Sequence, residues 1–254
     1  MILMNPYLKL LRLEGWAYSY MAIIGLVISG GLIQPVWKIL IFMTAIFAYL
    51  GFCFAINQSS DVEEDKLNKC QKNPVATGEL SKKNALIFTA AVAALGVALS
   101  AYFGARMFLF YGSFMLMGFF YSWPPIRLKS RFLIDSLSHG LFFGVGLFLM
   151  PFIAFGATLS QTSYGIAIAI FYHSLTRQLQ NHIWDYEGDK KANLRTTACV
   201  LGKEMTEKIL TVMVVLFPLV AYIIIPDRVW FFVILTAFII TYFKSRLMPR
   251  NAGA

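Results

Sequence analysis

One spacing of acids and amides occurs twice in this chain. Asn57, Asp61 and Asp65 lie four apart at the end of one long apolar segment, and Asn181, Asp185 and Asp189 lie four apart at the end of another. On a helix, residues four apart share a face and rise about 6 Å along the axis. Each copy therefore presents an amide and two carboxylates as one stripe where a membrane-buried helix meets water. Brought together, the two stripes would set their acids around a common space. Like charges at close range disfavour joint ionisation unless a cation holds them. Hard oxygen ligands suit Mg²⁺, which takes one or two carboxylates and completes its shell with water and substrate phosphates. Basic residues stand beside both stripes: Lys69 and Lys72 after the first, Lys190, Lys191 and Arg195 after the second. With a metal, that pattern describes a diphosphate clamp. Glu63, Glu64, Glu79 and Glu187 read as loop caps and surface charge.

The second stripe continues inward, because His173, Arg177, Asn181, Asp185 and Asp189 are successive positions four apart. Ionisable residues inside a bilayer helix are costly and face a cavity or a partner. Arg177 is close enough to the interface to snorkel instead. His173 lies deeper, and its residue type fits either a cavity wall or a structural hydrogen bond.

The elements that must carry these stripes are membrane helices. The 254 residues are 58% hydrophobic and only 14% charged, whereas soluble domains carry about 25% charge. Mean hydropathy is +0.66, and the charge that remains is clustered. The expected fold class is all-α, a polytopic membrane helical bundle of about eight helices around a central cavity. The spans expected are Trp16–Ile33, Trp37–Ile56, Ala85–Gly104, Met107–Tyr121, Leu133–Phe155, Thr162–Asn181, Ile209–Ile225 and Val229–Phe243. The two long polar loops, Gln58–Asn84 and Asp185–Glu204, each follow the second span of a pair, so the chain halves repeat in topology. A single domain over 1–254 is expected, without linkers.

Basic residues gather in alternate loops, leaving only Lys38, Arg106 and Arg228 on the opposite side. This asymmetry places the N-terminus and both acidic stripes on the cytoplasmic face. It also explains the net charge of +9 as a topology signal, with no nucleic-acid partner. Met1–Leu13 is too short and too charged for a cleaved signal peptide and reads as an interfacial amphipathic helix. Cys53, Cys70 and Cys199 are odd in number and widely spaced, suggesting neither a disulfide framework nor a zinc site.

An ordered set of motifs resembles a known family. Asn57-xxx-Asp61-xxx-Asp65, then Asn73-Pro74-xxx-Gly78, the loop Tyr121-Ser122-Trp123-Pro124-Pro125-Ile126-Arg127-Leu128-Lys129, and Asp185-xxx-Asp189 together look like the UbiA superfamily of intramembrane prenyltransferases. The resemblance implies a helical bundle around a central cavity, with both aspartate motifs binding Mg²⁺ and a prenyl diphosphate. Carried over by position, Asn57, Asp61, Asp65, Asp185 and Asp189 would be the metal and diphosphate site, the four aspartates holding the metal. Lys69, Lys72, Arg127, Lys129 and Lys190 would be cationic helpers, and Tyr121 would sit near the reacting carbon. The helical stripe itself adds Asn181 and Arg177 as substrate-binding candidates. Such a family transfers an isoprenoid to a hydrophobic acceptor among the membrane lipids. Members usually have one span more than the eight counted here, so one wall is abbreviated or the chain is truncated.

The physical mechanism follows from these parts. The leaving diphosphate is stabilised by Mg²⁺ and Lys/Arg, an apolar cavity shields the allylic cation from water, and an aromatic face such as Tyr121 stabilises it. Asp135 and His139, four apart at the start of the fifth span, either help deprotonate the acceptor or intermediate or simply pair on their helix. The run Arg131–Gly140 slightly resembles the carotenoid elongase branch. Of the rival readings, a CDP-alcohol phosphotransferase fails because its acids fall within one short segment. A terpene cyclase would need no acceptor, and a cation transporter would place its acids near the midplane.

Overall fold

A computed structural model describes residues 5–67 and 70–247. Its helices run in the order α1 (Pro6–Leu10), α2 (Ser19–Ile28), α3 (Val36–Ser60), α4 (Val62–Leu67), α5 (Lys82–Ala101), α6 (Ala105–Ser122), α7 (Ile134–His139), α8 (Gly146–Ala154), α9 (Gln161–Trp184), α10 (Tyr186–Lys191), α11 (Thr197–Leu201), α12 (Lys203–Ile224) and α13 (Arg228–Leu247). A wide helical turn over Gly140–Val145 joins α7 to α8, making one continuous apolar helix. No strand occurs among the described residues. The class is all-α, as its composition requires: in a bilayer, backbone polar groups must be satisfied within the segment.

Each expected span overlaps helical backbone, and among the described residues four helices are long and apolar enough to cross a membrane by themselves: Val36–Ser60, Lys82–Ala101, Ile134–Ala154 and Lys203–Ile224. The first expected span is broken, with a tight helical turn at Leu13–Tyr18 before α2 and another at Gly31–Ile33 after it. α9 is 24 residues long, about 36 Å at 1.5 Å per residue. Its inner stretch is less apolar because His173, Arg177, Gln178, Gln180 and Asn181 lie along it. Ser160 starts it with a reciprocal cap, its Oγ accepting from Ser163 N–H at 3.1 Å while Ser163 Oγ accepts from Ser160 N–H at 3.3 Å.

The described chain divides into two compact units. The first holds everything up to Arg127 together with Gly146–Ala157; the second holds Leu128–Val145 and the chain from Thr158 onward. Within the first, α3 packs along α5 and α6, and α2 along α8. Lipid tails are as apolar as leucine, so close backbone approach contributes more than apolar burial alone. Gly25 shows this: a Cβ there would meet the Phe148 carbonyl oxygen. Inside the second unit, α9 is the central element. It packs on α12 through Leu179, Ile183 and Leu210, and a Cβ on Gly165 would meet the Ile224 carbonyl oxygen. His173 is buried and shares a 2.9 Å hydrogen bond with Thr241 of α13; it is a structural link between helices.

The N-terminal segment carries part of the helix expected over Met1–Leu13. Its first four residues lie outside the described residues, and α1 covers only Pro6–Leu10. Leu10 is buried with Ala55, Val62, Val75 and Leu80. Gln58 Nε2 donates to the Leu10 carbonyl at 2.8 Å, and Lys9 pairs with Glu79 at 2.6 Å. Glu79, read from sequence as surface charge, thus ties α1 to the loop after α4. The hydrogen bond from Lys9 holds its carboxyl below the ordinary glutamate range.

Candidate active site

α3 does not run unbroken through the first motif. It ends at Ser60, Asp61 turns out of the helix at φ −94°, ψ 14°, and α4 resumes at Val62. The hydrogen bonds nevertheless keep step. Asp61 N–H donates to the Asn57 carbonyl at 3.0 Å, and Asp65 N–H to the Asp61 carbonyl at 2.8 Å. The shared face survives the break.

The second motif is built alike. α9 ends at Trp184, Asp185 sits at φ −87°, ψ 2°, and α10 begins at Tyr186. Asp185 N–H donates to the Asn181 carbonyl at 2.9 Å and Asp189 N–H to the Asp185 carbonyl at 2.8 Å. Each motif then closes the same way, with Cys70 N–H on the Asp65 carbonyl at 2.8 Å and Leu194 N–H on the Asp189 carbonyl at 2.9 Å. The repeat expected in topology is therefore also a repeat in backbone hydrogen bonding.

Side chains orient the first motif. Asn57 Nδ2 donates to Ser122 Oγ at 3.4 Å, beside the buried Tyr121 at the end of α6. Asp61 Oδ1 accepts from Ser60 Oγ at 3.0 Å and from Arg127 Nη2 at 3.3 Å. The same Arg127 nitrogen donates to Glu64 Oε2 at 2.5 Å. Burial disfavours the guanidinium's charge, but Glu64 and then Asp61 outweigh that, holding its pKa above the ordinary arginine value. Arg127 takes a left-handed φ of 41°, a conformation that costs a non-glycine residue of order 1–3 kcal/mol. Its own N–H, bonded to the Trp123 carbonyl at 3.0 Å, helps hold it there.

Asp65 Oδ2 accepts from Asn73 Nδ2 at 2.7 Å, and the same amide nitrogen donates to the Gln58 carbonyl at 2.8 Å. Asn73 Oδ1 in turn accepts from Val75 N–H at 2.9 Å. Lys72 is exposed, and Lys69 lies outside the described residues. Glu64 and Asn73 are the two contributors that residue type alone did not single out. Glu64 had read as surface charge, and Asn73 only as part of a family motif.

In the second unit, Asp185 and Lys190 are exposed and Asp189 is half-buried. Lys190 Nζ lies 5.8 Å from the Tyr186 ring centre. Asn181 Nδ2 reaches Gln178 Oε1 only at 3.5 Å. The Arg177 guanidinium lies over Trp184 at 5.9 Å, and its Nη1 is buried with no hydrogen-bond partner among the described residues. Such a buried donor asks for a ligand or water. Lys129 is half-buried on the tight turn Leu128–Ser130. Asp135 and His139 do not pair on their helix: Asp135 turns to Thr197, and His139 Nδ1 meets Ser174 Oγ at 3.0 Å.

Each motif offers two carboxylates and opens with an asparagine, hard oxygen donors of the kind that Mg²⁺ takes. Among the described residues no group of three or more His, Cys, Asp or Glu stands ready to enclose an ion.

Comparison with known proteins places the chain. Residues 19–252 match the model of the UbiA prenyltransferase family. A probable homogentisate phytyltransferase 2 of Oryza sativa is 30% identical over 174 residues, which are 66% of this chain and 46% of that protein. The chain thus spans less than half of the rice protein's length. A digeranylgeranylglyceryl phosphate synthase of Methanosphaera stadtmanae is 24% identical over 254 residues, covering 98% of this chain and 89% of the other. In fold, the chain is similar to a solved UbiA homologue from Archaeoglobus fulgidus bound to GPP and Mg²⁺. The TM-score is 0.78 at 23% identity, over 97% of this chain and 89% of that one. With that match running over residues 19–252, this chain belongs to the UbiA prenyltransferase family.

Proposed function

We propose that this protein transfers an isoprenoid group from an allylic prenyl diphosphate to a hydrophobic acceptor within the membrane, in a Mg²⁺-dependent reaction. The observation that carries this reading is the matched backbone geometry of the two Asn-Asp-Asp motifs, together with membership of the family. The A. fulgidus homologue's complexes with GPP or DMAPP and Mg²⁺ support the donor class.

Asp61, Asp65, Asp185 and Asp189 would hold the metal. When bound there, Mg²⁺ supplies positive charge that stabilises a departing diphosphate. Asn57 and Asn181 orient the diphosphate, while Arg127, Lys129, Arg177, Lys190, Lys72 and Lys69 offer it cationic hydrogen bonds. Arg127 is preorganised for this by Asp61 and Glu64. Tyr121 presents an aromatic face to the electron-poor allylic carbon. We further read residues 1–254 as one catalytic domain of about eight membrane helices around a central cavity, with N-terminus and acidic motifs cytoplasmic. We read the acceptor as an aromatic ring, a glycerol-phosphate lipid or a carotenoid; the relatives named homogentisate phytyltransferase and digeranylgeranylglyceryl phosphate synthase support the first two.

The test is to incubate purified protein and Mg²⁺ with a panel of prenyl diphosphates, with and without native lipid extract, and identify products by mass. Prenylated product that needs both Mg²⁺ and extract is expected. Cyclised hydrocarbon from the diphosphate alone would mean a terpene cyclase, and no consumption of any diphosphate would sink the reading.

A further inference from the structure

The two motifs are fastened by residues at matching positions. In the first, Asn73 lies eight residues after Asp65 and donates to the carbonyl of Gln58, the residue after Asn57. The corresponding positions in the second are Thr197, eight after Asp189, and His182, the residue after Asn181. Thr197 is bonded by a third side chain, Asp135, which also lies against His182, while His182 Nε2 accepts from Gln178 Nε2 at 2.9 Å. Asp135 Oδ2 accepts from Thr197 N–H at 2.7 Å, its Oδ1 from Thr197 Oγ1 at 2.8 Å, and Oδ2 lies 3.5 Å from His182 Nε2. Ser136 N–H adds a bond to Oδ1 at 2.5 Å. Thr197 Oγ1 also accepts from Leu133 N–H at 3.2 Å.

Asp135 is fully buried and His182 nearly so. A carboxylate out of water is costly unless its lone pairs are hydrogen-bonded, and here both oxygens are engaged. This occupancy argues against a proton-accepting role and for a mechanical one. Asp185 is exposed, and α10, which carries Asp189, has six residues, too few to hold a helix by themselves. Anchoring of the chain beside them therefore contributes to where these acids sit.

The geometry points to Asp135 as the positioning residue of the second aspartate motif: one buried carboxylate, packed beside His182, pins the chain after Asp189 at Thr197. This inference rests on the Mg²⁺–diphosphate reading of the motifs and names a residue that reading does not use.

The test measures binding without turnover. Calorimetric titration of Mg²⁺ with inorganic pyrophosphate is done on detergent-solubilised wild type, Asp135→Ala, Thr197→Val and Thr197→Ser. A thermal melt accompanies each, and Leu210→Ala, a buried change elsewhere in the same unit, serves as the stability control. Removing support behind a metal ligand costs about 10–100-fold in affinity, so Asp135→Ala and Thr197→Val should weaken binding by about tenfold or more. Thr197→Ser, which keeps the hydroxyl, should restore it, and a double variant combining Asp135→Ala with Thr197→Val should bind no worse than the weaker single one. Leu210→Ala should lower the melting temperature while binding as wild type does. If Asp135→Ala fails to fold, the Thr197 pair decides. Wild-type affinity in Thr197→Val, or a loss no greater than in Leu210→Ala, overturns the inference alone. A wild type that takes up no Mg²⁺–pyrophosphate sinks the prenyl-transfer reading, and this inference with it.

Discussion

Arg127 and Glu64, separated by 63 positions in the chain, meet through a 2.5 Å hydrogen bond that also brings the guanidinium to 3.3 Å from Asp61. One cation thus sits against two acids of the first unit before any ligand arrives. Glu64 is therefore part of the charge balance around Arg127 and Asp61. Glu64→Gln should leave Arg127 held by Asp61 and its backbone, and raise KM for prenyl diphosphate several-fold with little change in kcat. Because both side chains are about one-fifth exposed, the stability loss should stay near 1 kcal/mol. Steady-state kinetics with a denaturation curve checks both; an unchanged KM would remove Glu64 from the site.

The carboxylates themselves should matter far more. Asp61→Ala or Asp185→Ala should reduce turnover by at least about 10²-fold while leaving helix content and melting temperature close to wild type. Near-normal product formation in either variant would overturn the assignment of the motifs.

Asn73 orients Asp65 from a buried position. Asn73→Asp loses the donating amide and sets a second carboxylate against Asp65, so metal affinity should fall about 10–100-fold. Mg²⁺ dependence of turnover is the measurement, and a half-saturating concentration equal to wild type would refute the role.

The Lys9–Glu79 pair gives an acid limb to the stability of the N-terminal segment. Glu79 has its folded pKa depressed by the Lys9 hydrogen bond. Its contribution is therefore fully present above the ordinary glutamate value of about 4.3 and is lost as pH falls through the lower folded value. Hydrogen exchange of α1 should accelerate across that acidic window in wild type. In Glu79→Gln, exchange should be faster at neutral pH and flat below it; a wild-type-like profile would refute the pairing.

Gly25 and Gly165 stand where backbones come closest within their own units. A methyl at either would meet a carbonyl oxygen, Phe148 for the first and Ile224 for the second. Gly25→Ala and Gly165→Ala should each destabilise by about 1–3 kcal/mol, read as a lowered melting temperature in detergent. Wild-type melting would mean that the helices part at no cost.

The amino-acid sequence by itself determined the class and the motifs. Apolar segments long enough to cross a bilayer have to be helical, because the bilayer offers no other partner for the backbone. The four-residue spacing survives the helix breaks at Asp61 and Asp185 because it is carried by local hydrogen bonds from each residue to the fourth before it. Such contacts are legible from spacing alone. Tertiary structure decided the rest. It made Glu64 a partner of Arg127, turned Asp135 away from His139 to Thr197, and made His173 a link to Thr241. These bonds span 62 to 68 positions. Residue type shows that such a group needs a partner, but only the packing of helices distant in sequence selects which one.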